Sequence, residues 1–74
     1  MLQKSEKEIF RDFRAQMILA RKDKNYTQAY LAELSDASTK YISNIESGSA
    51  NPSLKYIIKI CRALDIELNF NYLG

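Results

Sequence analysis

The sequence predicts an all-α protein, a compact bundle of four to five helices containing a helix-turn-helix, with one short β-strand near its C-terminal end. Three observations predict it. Apolar residues recur at helical spacing through most of the chain. Ser, Thr and Asn stand where helices should begin and end. After Leu64 the apolar period shortens to two, the spacing of a half-buried strand.

The first helix is expected over Ser5 to Lys24. Ser5 and Glu8 have the spacing of a capping box, in which each side chain satisfies the other residue's backbone N–H. Phe10, Phe13, Met17 and Ala20 follow helical spacing and should face the core, with Ile9 and Ile18 flanking that stripe. Asn25 should end the helix, because Asn tolerates the left-handed conformation found just past helix C-termini. A second helix is expected over Thr27–Ser35 and a third over Ser38–Ser47, with Thr27 and Ser38 as N-caps. Ala29, Leu31, Ala32 and Leu34 mark the second helix, and Ile42 and Ile45 the third. Two helices of about eight residues joined by so short a turn fit a helix-turn-helix. That motif places its second helix in the DNA major groove.

Gly48 should stop the third helix, and SGSANPS is the one evident loop. Pro52 stands at the entry to a fourth helix, where its missing N–H costs little. That helix is expected over Ser53–Leu64, with Leu54, Ile57, Ile58, Cys61 and Leu64 as its buried stripe. Tyr30, Tyr56 and Ile60 fall outside the stripes and are candidates for a partner surface. Ile66, Leu68, Phe70 and Tyr72 then alternate with Glu67, Asn69, Asn71 and Leu73. A lone strand leaves an open edge. Antiparallel pairing of residues 66–73 with the same strand of a second subunit would close it and bury Ile66, Leu68 and Phe70. A fifth short helix is the other reading of this tail.

Composition excludes several function classes. With 74 residues the chain is expected to hold one domain, residues 1–74, without a ligand-sensing domain. It has no histidine and one cysteine, Cys61. His-based acid–base catalysis, the Ser-His-Asp and Cys-His arrangements, an intramolecular disulfide and a cysteine-only zinc site are therefore ruled out. Neither paired carboxylates in an evident pocket nor a phosphate-binding glycine loop is present, so an enzyme is not expected and no cofactor or metal is implied. No apolar run suits a membrane span, and MLQKSEKE lacks the apolar core of a signal peptide. A cytoplasmic protein is expected. Eleven basic against nine acidic residues is weak support for nucleic-acid binding. The placement says more, since Arg11, Arg14, Arg21, Lys22 and Lys24 crowd the first third.

Arg21-Lys22, Thr27-Gln28, Leu31-Ala32, Tyr41-Ile42-Ser43, Ile45-Glu46, Gly48, Asn51-Pro52-Ser53-Leu54 and Ala63-Leu64 fall in one order and spacing. In that order the chain resembles the xenobiotic-response-element family of helix-turn-helix regulators, relatives of the Cro and phage-repressor DNA-binding domains. The resemblance covers about Phe13 to Leu68. It implies a lambda-repressor-like bundle, dimeric binding to palindromic operators, and a nucleoid-associated protein of prokaryotic or phage origin. It also implies a DNA-backbone contact from Gln28, base reading by Thr39, Lys40, Ser43 and Asn44, and a structural ion pair between Arg21 and Glu46. Two positions depart from the family pattern. Asp36 stands in the turn, and Asp65 after the fourth helix, where relatives usually have Gly. Asp is among the few other residues that enter left-handed conformations. The alternating tail also resembles that of HipB-type antitoxins, compact dimers that share a C-terminal strand.

Ser38 would cap the third helix and donate to a phosphate, because helix N-termini attract anions. Thr39 suits a thymine methyl, Lys40 a guanine edge or a phosphate, and Asn44 an adenine. Ser43 reads only what comes close. Tyr41 is left with two roles, packing against the second helix or reaching a phosphate. The expected function is a sequence-specific repressor that binds an inverted-repeat operator as a homodimer. Within that class an antitoxin autoregulating its operon with a cognate toxin comes first. A restriction–modification controller or small phage-type repressor comes second. A protein-interaction module without a DNA role is the alternative of another class.

Overall fold

The computed structural model describes residues 3–74. Four helices follow one another: α1 (Glu6–Asp23), α2 (Gln28–Leu34), α3 (Thr39–Ser47) and α4 (Leu54–Leu64). Each begins at a hydroxyl residue. Ser5, Thr27, Ser38 and Ser53 all have extended backbones, and their side chains accept bonds from the N–H groups of Glu8, Tyr30, Tyr41 and Tyr56. At α1 the capping box is complete, because the Ser5 N–H donates back to Glu8 Oε1 at 3.1 Å.

The ends are as uniform as the starts. Asn25 (φ 59°), Asp36 (φ 57°), Gly48 (φ 84°) and Asp65 (φ 56°) are all left-handed. In each case the following N–H reaches back to a carbonyl in the last helical turn. Tyr26 donates to Arg21 at 3.0 Å, Ala37 to Ala32 at 2.9 Å, Ser49 to Asn44 at 2.8 Å and Ile66 to Cys61 at 2.9 Å. These bonds satisfy carbonyls that a helix C-terminus would otherwise leave orphaned. Asn25 therefore acts as its position in the sequence suggests, and Asp36 and Asp65 adopt the conformation that glycine usually supplies.

One core joins the helices. Met17, Leu31, Ala32, Ile42, Ile45, Ile60 and Leu64 form it, with Phe13, Ala20, Tyr26, Ala37, Tyr41, Ala50, Ala63 and Ile66 packed around it. α2 packs chiefly on α3, while α4 lies against both α1 and α2. Phe10 is half-buried outside this core.

Two expectations are corrected. The buried residues of α4 are Ile60, Cys61 and Leu64, with Ile57 half-buried one turn before them; Ile60, expected outside the stripe, is fully buried. Leu54 and Ile58, expected inside it, are 57% and 37% exposed. The helix LKYIIKICRAL carries enough apolar residues for two adjacent stripes, and the packing of α1 and α2 on it selects one. The second correction concerns the strand. Residues 66–74 have no regular secondary structure, and no strand is present among the described residues. A strand exists only through bonds to a neighbouring strand, and the other described residues form helices, turns and loops.

Candidate nucleic-acid interface

Ser35 to Ser38 turn the chain from α2 into α3. Ser35 is 1% exposed, and its hydroxyl donates to the Leu31 carbonyl at 2.6 Å, so this buried polar group is satisfied and the turn is pinned to α2. Asp36 supplies the left-handed residue. Ser38 then restarts the helix, its Oγ accepting from the Tyr41 N–H at 3.0 Å. Its own O–H remains able to donate.

α3 is sharply two-sided. Ile42 and Ile45 are fully buried, and they hold the helix at a fixed rotation. Thr39 and Lys40 are exposed, and Ser43 and Asn44 half-buried. Residues at i, i+1, i+4 and i+5 share one helical face. The structure therefore brings the four expected base-reading side chains together. Among the described residues none of the four side chains makes a hydrogen bond, and Lys40 has no ion pair. Tyr41 points the other way, packing on the core with its ring edge-to-face against Tyr56 at 5.0 Å. The partner its ring meets is therefore on α4, not the second helix that the sequence suggested.

Arg21 and Glu46 form the pair that the family resemblance implies. Nε lies 2.7 Å from Oε2 and Nη2 lies 3.0 Å from Oε1, a two-pronged geometry. Arg21 Nη1 also donates to the Tyr26 carbonyl at 2.8 Å. Gln28 Nε2 donates to Glu46 Oε1 at 3.0 Å. The side chains of Arg21 and Glu46 are 13% and 7% exposed, so this network is largely out of water. It ties α1, α2 and α3 together. Gln28 was expected to aim at the DNA backbone. One of its amide N–H groups is held by Glu46, which leaves its carbonyl and second N–H for an outside contact.

The dimerisation residues are distributed differently. Ile66 is half-buried against the core of its own chain, whereas Leu68 is 40% and Phe70 81% exposed. Together with Ile58, Cys61 and Arg62 they line a hollow of about 340 Å³. Tyr72 (96% exposed) and Leu73 (69%) extend the apolar surface outward. Burial pushes the Cys61 thiol above its ordinary range, which keeps it protonated and unreactive.

Two features were not legible in the sequence. Tyr26, Tyr30, Leu34, Asp36, Lys59 and Arg62 line a groove of about 560 Å³ between the C-terminal ends of α2 and α4. Tyr30, singled out only as lying off the stripes, packs edge-on against Tyr26 at 4.8 Å. The other feature is Arg14, whose guanidinium lies against Gly48, 3.6 Å from where a Cβ would stand. Its signal was a seven-residue separation from Arg21, which puts both on one face of α1.

Among the described residues no helix is long and apolar enough to cross a membrane. A helix-turn-helix family model of the Cro/C1 type matches residues 17–71. No curated protein and no solved structure matches the chain.

Proposed function

The chain belongs to the Cro/C1-type helix-turn-helix family of DNA-binding transcription regulators, and from that premise we propose that it is a sequence-specific repressor acting as a homodimer on an inverted-repeat operator. One observation carries the reading. Thr39, Lys40, Ser43 and Asn44 share the outward face of a helix whose inward face, Ile42 and Ile45, is fixed in the core. Side chains presented on a rigid helix and unengaged among the described residues suit the donor and acceptor pattern of a major groove. Lys40 reaches guanine or a phosphate, Asn44 pairs with adenine, and Thr39 meets a thymine methyl. Ser38 and Gln28 bind the backbone at the N-termini of α3 and α2 and set the register without reading sequence.

Dimer formation is supported by the exposed apolar tail. Leu68, Phe70 and Tyr72 carry more apolar surface than a small monomer has reason to leave in water. Residues 66–73 take strand form when a second copy provides the neighbouring strand. Two recognition helices then enter successive major grooves about 34 Å apart. Within this class the alternating tail favours an antitoxin that autoregulates its operon and is regulated in turn by a toxin protein.

Fluorescence anisotropy tests the reading. The protein is titrated into a labelled duplex from upstream of its own gene, and into a scrambled duplex, near physiological salt. A preference of about 10³ or more establishes specific recognition. Equal and salt-sensitive binding to both duplexes reduces it to backbone attraction.

A further inference from the structure

α1 carries two arginines on the same face, Arg14 and Arg21, and among the described residues only one has a partner. Arg21 is committed to Glu46 and to the Tyr26 carbonyl. Arg14, two turns earlier, is half-buried and makes neither an ion pair nor a hydrogen bond among the described residues. Its guanidinium is laid against the end of α3. Cζ and Nε are 3.6 Å, and Nη2 3.8 Å, from the position a Cβ would take at Gly48. A guanidinium is always charged and holds five N–H donors in a planar fork. A half-buried guanidinium that no protein acceptor engages keeps its fork available to an acceptor from outside the chain.

The surroundings say which acceptor. Arg14 lines a hollow of about 250 Å³ with Glu6, Lys7, Phe10, Gly48 and Asn51. That volume falls below the range of about 300–1,000 Å³ usual for metabolite pockets and suits a small anionic group. Lys7 and Arg14 outnumber the one carboxylate, Glu6. Gly48 closes α3, so the hollow stands at the C-terminal end of the recognition helix. A helix-turn-helix sets the N-terminal residues of its second helix on the base edges. The nine residues of α3 span about 13 Å, so its opposite end lies away from those bases and toward the sugar-phosphate backbone. The exposed Asn51, which lines the same hollow, places a further donor there.

We propose that Arg14 binds a backbone phosphate of duplex DNA beside the C-terminal end of α3, acting as a clamp that orients the recognition helix without reading sequence. This inference rests on the DNA-binding reading above. Arg14 precedes residues 17–71, so the clamp lies in the part of α1 that the family match does not include.

The contact is sequence-independent, so any duplex tests it. Anisotropy of the full chain on a labelled duplex is measured between about 50 and 200 mM salt for the wild type, Arg14→Gln and Arg14→Lys. Each phosphate neutralised contributes about 0.9 to the slope of log K against log salt. Arg14→Gln should lose about that much slope and bind about fivefold more weakly near 0.15 M salt, while Arg14→Lys keeps the slope. A wild-type slope in Arg14→Gln, or equal losses in both variants, overturns the clamp. Failure of the wild type to bind any duplex overturns the DNA-binding reading instead. If either variant fails to fold, the Arg14 Nε–H resonance of the wild type decides: it shifts on adding duplex if the clamp is right and stays put if it is not.

Discussion

Glu46 links three helices through one carboxylate. Its carboxylate receives Arg21 twice and Gln28 once, with 7% of the side chain exposed. Removing one partner of such a pair strands the other's charge in a site that water barely reaches. Glu46→Ala should cost about 3–5 kcal/mol, measured by urea unfolding. Lys40 is the opposite case, exposed and, among the described residues, unpaired. Lys40→Ala should leave the unfolding midpoint unchanged and weaken operator binding. If the lysine meets a phosphate, the salt slope should also flatten by about one. An unaltered affinity would remove Lys40 from the interface. Titration bears on the same scale. Bonds from the Ser5 backbone N–H and hydroxyl hold Glu8 below its ordinary value of 4.5. A bond to Lys4 likewise lowers Asp12. A depressed carboxyl contributes stability above its unfolded pKa and loses it as pH falls through the folded value. The bond to Asp65 raises Lys24 above its ordinary 10.5. Its contribution is present below that value and is lost as pH rises through the folded one. Helicity followed by circular dichroism should therefore decline first at acidic pH, and Glu8→Gln should remove part of that decline.

At the scale of elements, the helices are delimited more sharply than their lengths alone would ensure. Four hydroxyl caps start them and four left-handed residues stop them. Gly48 is the one glycine among those stops, and at φ 84° an added Cβ is strained whatever room surrounds it. Gly48→Ala should cost about 1–2 kcal/mol in urea unfolding. Asp36→Gly should do the reverse and gain about 0.5–1 kcal/mol. It forfeits only an exposed contact with Lys59 at 3.4 Å, of the kind that contributes little. These boundaries were legible in the sequence because capping is local chemistry: Ser5, Asn25, Thr27, Ser38 and Gly48 act on neighbours within one turn. The rotation of α4 was not. Leu54, Ile57, Ile58, Ile60, Cys61 and Leu64 permit two overlapping stripes, and the choice is made by α1 and α2, distant in sequence. The tail failed for a related reason. Its alternation is genuine, but alternation states a preference that only a neighbouring strand can satisfy. At the interface, the outward face of α3 could be read from Ile42 and Ile45. The bond from Gln28 to Glu46 spans eighteen residues and could not.

At the scale of the whole molecule, the surfaces divide the labour. The α3 face carries polar side chains, and the face formed by Ile58, Leu68 and Phe70 carries apolar ones. If the second face joins two copies, a Leu68→Ser/Phe70→Ser double variant should remain folded, since Ile66 keeps its place against the core. It should sediment as a monomer at micromolar concentration and bind the operator far more weakly. A dimer that survives these changes would place the two-fold axis elsewhere. The side chains of Thr39, Lys40, Ser43 and Asn44, unbonded among the described residues, have a further consequence. Mutations there leave the caps and the Arg21–Glu46 network untouched, so they fall outside the usual mechanisms of large destabilisation. If these four side chains read an operator as proposed, duplicated copies of this gene can drift at four codons toward new operators without crossing the stability threshold that purges most substitutions. Divergence of regulatory circuits would then be limited by the supply of DNA sites rather than by the tolerance of the fold.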